Sequence, residues 1–172
     1  MVEEFDEAWL TRRYYGGDLP VEAERCLHLA ASTYADTATA SAYLDRAAAL
    51  APGHVAVDLG LYRFHLYKAN TAEALHRGLR LLDHAARGIG LNSFDAWRLA
   101  SRGLADFDSL DHAPRFFLFS LKAAGYLKLR LGCLDEGRAM LAKVRELDPA
   151  NRFEAQFLLD MADRIGREAD DE

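Results

Sequence analysis

The sequence predicts an all-α protein, an antiparallel stack of helical hairpins, and three observations carry that expectation. Only four prolines occur in 172 residues, while alanine and leucine abound and Val, Ile and Thr never cluster into runs. Apolar residues recur at helical spacing through successive segments, and no stretch reads as a strand. Short turn signals built from Gly, Pro, Asn and Asp separate those segments. An apolar content of 51% is that of a globular chain, and the length fits one domain, residues 1–172.

The helices follow in order. Residues 3–14 (EEFDEAWLTRRY) suit an amphipathic helix with Phe5, Trp9 and Leu10 or the Arg13 stem on one side, closed by Gly16-Gly17. Asp18 then reads as an N-cap, with Pro20 in the first turn of a helix to about Tyr34 that turns Ala23, Cys26, Leu27, Ala30 and Ala31 inward. Thr37 or Thr39 caps a helix through Leu50, which Pro52-Gly53 stops. The segment from Val55 to Lys68 carries Leu59, Tyr62, Phe64, Leu66 and Tyr67 on every face, as in a helix packed on several sides.

Asn70-Thr71 opens the next helix, which Gly88 and Gly90 close. Asn92 or Ser93 starts a helix ending near Asp106, and a linker through Asp111 and Pro114 leads to a helix over about 115–131. Gly132 turns the chain into LDEGRAMLAKVREL, stopped by Asp148-Pro149. The last helix, about 151–167, places Phe153, Phe157, Leu158, Met161 and Ile165 on one side, and the tail EADDE is expected to fray.

Residues 118–151 have a further regularity. Gly125 and Gly137 fall where two helices of a hairpin need small residues to cross, Gly132 sits at the turn, Leu141 fills a bulky slot and Val144 the next small-to-medium slot, and Leu147-Asp148-Pro149 closes the stretch. The stretch resembles a tetratricopeptide repeat (TPR), a helix–turn–helix unit of about 34 residues. Leu121, Lys128 and Val144 depart from that family's usual tryptophan, tyrosine and alanine. Residues 21–54 fit the same frame through Leu27, Ala40, Leu44, Ala47, Leu50 and Pro52. Residues 55–88 fit it more loosely through Leu61, Glu73, Ala74 and Leu81, with Tyr62 at a normally small position. The remainder, 89–117, reads as a degenerate repeat with one helix, and 152–167 as a C-terminal cap. A helix of about 15 residues is roughly 22 Å long. An extended linker over 106–113 reaches roughly as far, so it can run back along that helix and keep the alternation. A plain helical bundle whose resemblance is compositional is the alternative.

The resemblance implies a TPR-like α-solenoid with a concave groove that binds peptides or protein segments. Its groove positions map onto Arg25, Leu29, Leu59, Arg63, Lys122, Tyr126 and Arg130. Four cations and a tyrosine in an acidic chain suit an acidic or C-terminal segment, because guanidinium groups grip carboxylates bidentately. The family's carboxylate-clamp asparagines are replaced by Leu29, Arg63 and Tyr126. The resemblance implies no enzyme and no cofactor.

The formal charge of −6 argues against nucleic acid and anionic membranes as partners. Cys26 and Cys133 form neither a disulfide framework nor a zinc signature. With no apolar run of bilayer length and no visible signal peptide, a cytoplasmic protein is expected. His76 and His84 lie about two turns apart, too far to share one metal ion, and His28, His54, His65 and His112 lack ligand-spaced neighbours. Gly88-Ile89-Gly90 follows a helix and is no dinucleotide loop. The run Phe116–Phe119 either packs on the degenerate repeat or forms a patch for self-association. Three function classes follow: an adaptor, assembly factor or small chaperone; a structural protein that forms a homodimer; and, least favoured, a small helical-bundle enzyme.

Overall fold

The computed structural model describes residues 8–170. Among them the chain is all-helical, without a strand, and it clusters into two compact units, Met1–Asn70 and Thr71–Glu172. That boundary falls inside the expected 55–88 repeat, so the two helices of that repeat belong to different units.

The first unit holds α1 (Ala8–Tyr14), α2 (Val21–Ser32), α3 (Thr37–Leu50) and α4 (Val55–Tyr67). Phe5, expected on the apolar side of the first helix, lies outside the described residues. The helices α2 and α3 pack along each other, and α4 lies against α1, α2 and α3. Ala23, Cys26, Leu27, Ala30, Ala40, Leu44 and Ala47 form the core between α2 and α3, joined by Ala56, Val57, Leu61 and Phe64 of α4. Ala31, expected inside, is exposed because it lies beyond the edge of that stripe. Gly60 is where α4 comes closest. A Cβ there would stand 2.9 Å from Leu27 Cδ2 and 3.6 Å from Leu44 Cδ2.

Two caps differ from expectation. Asp18 does not cap α2, whose N-cap is Pro20. Its Oδ1 instead lies 2.8 Å from His54 Nε2. His54 Nδ1 accepts the Ala56 N–H at 3.1 Å as the cap of α4, so Nε2 carries the proton and donates to Asp18. The cap of α3 is Asp36 and not a threonine: Oδ1 accepts from the Thr39 N–H and Oδ2 from the Thr39 hydroxyl at 2.6 Å. Of the apolar surface expected around α4, Leu59, Tyr62 and Phe64 are buried, whereas Leu66 and Tyr67 at its end are exposed.

The second unit holds α5 (Thr71–Gly88), a 3-10 helix (Phe94–Leu99), α6 (His112–Arg130), α7 (Leu134–Leu147) and α8 (Ala155–Asp170). The helix α6 packs on both α5 and α7, and α8 packs mainly on α7. A Cβ on Gly88 would meet Ala113 Cβ at 3.8 Å, so α6 begins beside the end of α5 and segment 89–111 leaves and returns. The crossing of α6 and α7 is closest at Gly125 and Gly137. Gly132 turns the chain between them at φ +82°, a left-handed conformation that glycine adopts without strain.

The expected helix from residue 93 to Asp106 is reduced to the 3-10 turn Phe94–Leu99. Long-range polar contacts hold the chain open there. Asp83 Oδ1 accepts from the Phe94 N–H, and Lys143 Nζ takes the Ala100 carbonyl, which would otherwise serve a helix. Arg102 donates to the Leu147 carbonyl and to Asp108, and Arg152 donates to the carbonyls of Phe107 and Asp108. Trp97 and Phe107 are buried beneath these contacts, and Phe107 lies 6.2 Å ring to ring from Phe117. The Phe116–Phe119 run therefore packs inward: Phe116, Phe117 and Leu118 are buried and Phe119 is half-buried.

The last helix starts later than expected, at Ala155. Asn151 and Glu154 adopt left-handed φ of 58° and 56°, which keeps Phe153 out of the helix, and Asn151 Oδ1 accepts from the Gln156 N–H. It buries Ala155 and Ala162, not the bulky residues its periodicity singles out. Arg138 of α7 pairs with Asp163 at 3.1 Å.

Candidate functional site

The expected binding residues divide between the units, Arg25, Leu29, Leu59 and Arg63 in the first and Lys122, Tyr126 and Arg130 in the second. They are described as two sets.

In the first unit, Arg25 is exposed and Leu29 half-buried on the outer side of α2. Together with Val21, Glu24, His28 and Ser32 they line a shallow depression of about 530 Å³. The two residues of α4 are less available. Leu59 is only 2% exposed, which corrects its assignment as a ligand-facing residue: a helix apolar on nearly every face buries it. Arg63 is half-buried, and its Nη1 donates to Thr11 Oγ1 of α1 at 3.1 Å. The same guanidinium pulls the hydroxyl pKa values of Tyr15 and Tyr34 downward, although burial dominates and both are raised.

In the second unit, Lys122, Tyr126 and Arg130 stand at i, i+4 and i+8 on α6, and hence on one face. Arg130 Nη1 donates to the Tyr126 hydroxyl at 2.8 Å, which orients an otherwise exposed guanidinium. Lys122 lines a cavity of about 370 Å³ with Asn151, Glu154, Phe157 and Leu158. Burial holds its ammonium below the usual lysine range, and the Glu154 carboxylate partly restores it. Phe157 is 62% exposed at the cavity edge, and Ile165, two turns further along α8, is 43% exposed. Periodicity singles out Phe157 and Ile165 as interior residues, yet both are exposed, and Phe157 borders the cavity that Lys122 lines. That exposure follows from the seating of α8 on two alanines.

Such a face offers an acidic segment an ammonium and, about two turns further along α6, a guanidinium bonded to a phenol, while an apolar side chain lies on Phe157 and Leu158. Lys128, at a position where the repeat family favours tyrosine, is drawn away from it to Glu136 of α7 at 2.9 Å. Three histidines have local partners: His54 caps α4, His28 stacks edge-on with Tyr15 at 5.1 Å, and His65 contacts Asn70. Among the described residues, no helix is long and apolar enough to cross a membrane.

These features define a protein that is all-helical among the described residues and whose second unit aligns Lys122, Tyr126 and Arg130 on one face of α6. The chain is similar to a protein of Azotobacter chroococcum mcd 1 described as an uncharacterized 19.8 kDa protein in the nifW 5′ region. The two are 37% identical over 164 residues, which cover 93% of this chain and 87% of that protein. The chain belongs to the family of that protein. No family model matches the chain, and no solved structure does.

Proposed function

We propose that this chain is a non-catalytic, TPR-like protein-interaction module of the cytoplasm, an adaptor, assembly factor or small chaperone. It holds an acidic peptide or protein segment on the face shared by α6 and α8. The observation that carries this reading is the alignment of Lys122, Tyr126 and Arg130 on one face of α6, with Lys122 lining the cavity edged by Phe157 and Leu158. A segment with a carboxylate beside a bulky apolar side chain matches both halves of that face. Backbone approach at Gly125 and Gly137 supports the repeat-like reading of the hairpin beneath it, with α8 as the cap. Nucleic acid and membranes are not its partners on this reading, given the net charge of −6.

The name of the A. chroococcum relative places its gene in the nifW 5′ region, which makes the nifW product the first partner to test. Fluorescence anisotropy with labelled candidate protein, repeated on Lys122→Glu and Arg130→Glu, tests the reading. Charge reversal is expected to weaken binding by about tenfold or more per site. Unchanged affinity contradicts it. Arg63→Glu is a poor probe of the same idea, because Arg63 is engaged by Thr11.

Self-association is the second reading, favoured by the exposure of Phe157 and Ile165. A dimer that persists at low micromolar concentration by light scattering, and is lost in Phe157→Asp, would support it over capture of a foreign segment.

A further inference from the structure

The turn that leads into α6 is fixed in place while it shows a leucine to solvent. Phe107 is buried, 6.2 Å ring to ring from Phe117, and anchors the turn. Arg152 takes the carbonyls of Phe107 and Asp108, and Arg102 pairs with the Asp108 carboxylate. Within the turn, Asp106 Oδ1 accepts from the Asp108 N–H and the Ser109 hydroxyl donates to the Asp106 carbonyl. The Asp111 N–H in turn donates to Ser109 Oγ. Leu110 is nonetheless 77% exposed, flanked in sequence by the exposed Asp106 and Asp111. Asp111 is the N-cap of α6, a place where aspartate ordinarily accepts from first-turn amides, yet its side chain makes no capping bond.

That pairing of side chains is what the α6–α8 face is suited to take. Phe157 and Leu158 offer a seat for an apolar side chain, and Lys122 beside them offers a cation, with Arg130 as a second about 12 Å further along α6. Because the turn is already stitched, presenting Leu110 and Asp111 to a partner costs little ordering entropy. The turn cannot serve the face of its own chain. Asp111 and Lys122 stand about 16 Å apart along one rigid helix.

We propose that a second copy of this chain supplies the segment held on the α6–α8 face: Leu110 packs on Phe157 and Leu158, and the Asp111 carboxylate pairs with Lys122. The inference rests on the binding reading of that face and names its occupant. Each copy carries both patches, so the contact joins two different surfaces and every chain both offers and accepts. The Glu154 carboxylate, which already acts on Lys122, opposes the incoming charge and keeps the association weak and reversible.

Light scattering of the full chain at rising concentration reads the contact. The average mass is expected to climb above the 19.2 kDa monomer at about 100 µM and to return to it on dilution to about 1 µM. Leu110→Asp and Phe157→Asp, both at exposed positions, should each be monomeric throughout. A 1:1 mixture of the two should associate, because one chain still offers what the other still accepts. Asp111→Lys should weaken the association about tenfold. A wild-type chain that stays monomeric, a Leu110→Asp or Asp111→Lys chain that associates like the wild type, or a mixture that stays monomeric overturns the proposal. The face itself is scored apart from this, by titrating the labelled nifW product into the Leu110→Asp chain. Affinity that falls with Lys122→Glu upholds the face even where the self-contact fails, and affinity indifferent to that change counts against the face.

Discussion

A Cβ placed on Gly137 would stand 2.8 Å from the carbonyl oxygen of Gly125, and one on Gly125 would stand 3.2 Å from that of Gly137. The two helices of this hairpin touch backbone to backbone at a single point, and the rest of their interface is fitted around it. Leu129 Cδ2 also lies 2.8 Å from a Cβ on Gly137, and Leu141 Cγ 3.0 Å from one on Gly125.

The first prediction concerns that crossing. Alanine in place of glycine inside a helix ordinarily stabilises by roughly 0.5–1 kcal/mol. Here it must displace a backbone carbonyl that cannot move alone, and overpacking of that kind costs about 1–3 kcal/mol. Gly137→Ala is therefore expected to lower the urea midpoint, and Gly125→Ala to do so less, because its neighbours include side-chain atoms. Gly88→Ala, whose nearest neighbour would lie at 3.8 Å, should leave the midpoint unchanged or raise it.

The cap of α3 supplies a pH dependence. Hydrogen bonds from Thr39 hold the Asp36 carboxyl below its ordinary pKa. A folded-state pKa lower than the unfolded one gives stability that is present above the unfolded value, about 3.9 for aspartate, and lost as pH falls through the folded value. Asp36→Ala should accordingly melt at a lower temperature than the wild type at neutral pH, and the two melting temperatures should converge in strong acid. Asp18 is lowered by its hydrogen bond from His54 and should behave in the same sense. Thermal melts across the acid range check both.

Removal of Arg152 should loosen the loop that replaces the expected helix. Its guanidinium serves the carbonyls of Phe107 and Asp108 and lies 3.5 Å from the buried carboxylate of Asp148. Arg152→Ala is expected to cost about 1–3 kcal/mol, because buried groups lose their partner. Hydrogen exchange should quicken in segment 100–111 before it does in α6 or α7.

Phe157 separates binding from folding. At 62% exposure its truncation to alanine should change stability by no more than about 0.5 kcal/mol. If the α6–α8 face holds a partner segment, Phe157→Ala should nonetheless weaken binding severalfold in a calorimetric titration.

The helical hairpin around Gly132 was fully legible in the sequence, because glycine spacing and the Leu-Asp-Pro stop are local signals. Boundaries of α2, α3, α5 and α7 follow from turn residues for the same reason. What could not be read depends on partners distant in the chain. Nothing within residues 93–106 discloses that Lys143 will claim the Ala100 carbonyl, that Arg102 will reach the Leu147 carbonyl, or that Arg152 will take the carbonyls of Phe107 and Asp108. Asp18 has the form of a helix cap, and only folding brings His54 to it. The periodicity of α8 correctly marks a stripe of bulky residues, but periodicity shows which residues share a face and not which face is covered. Likewise the repeat resemblance assigns Arg63 to a ligand-facing position, while its engagement by Thr11 is a tertiary contact. The cationic trio on α6 was legible as a pattern, and the cavity that Phe157 borders beside Lys122 was not.

The most direct test places a photo-crosslinking residue at position 157 of the full chain in its native host, with a second at the exposed position 46 on α3 as a control. The account predicts a discrete protein adduct from position 157, absent from position 46, that falls about tenfold when Lys122→Glu and Arg130→Glu are added. Adducts from both positions alike, or an adduct at 157 indifferent to the charge reversals, would contradict it.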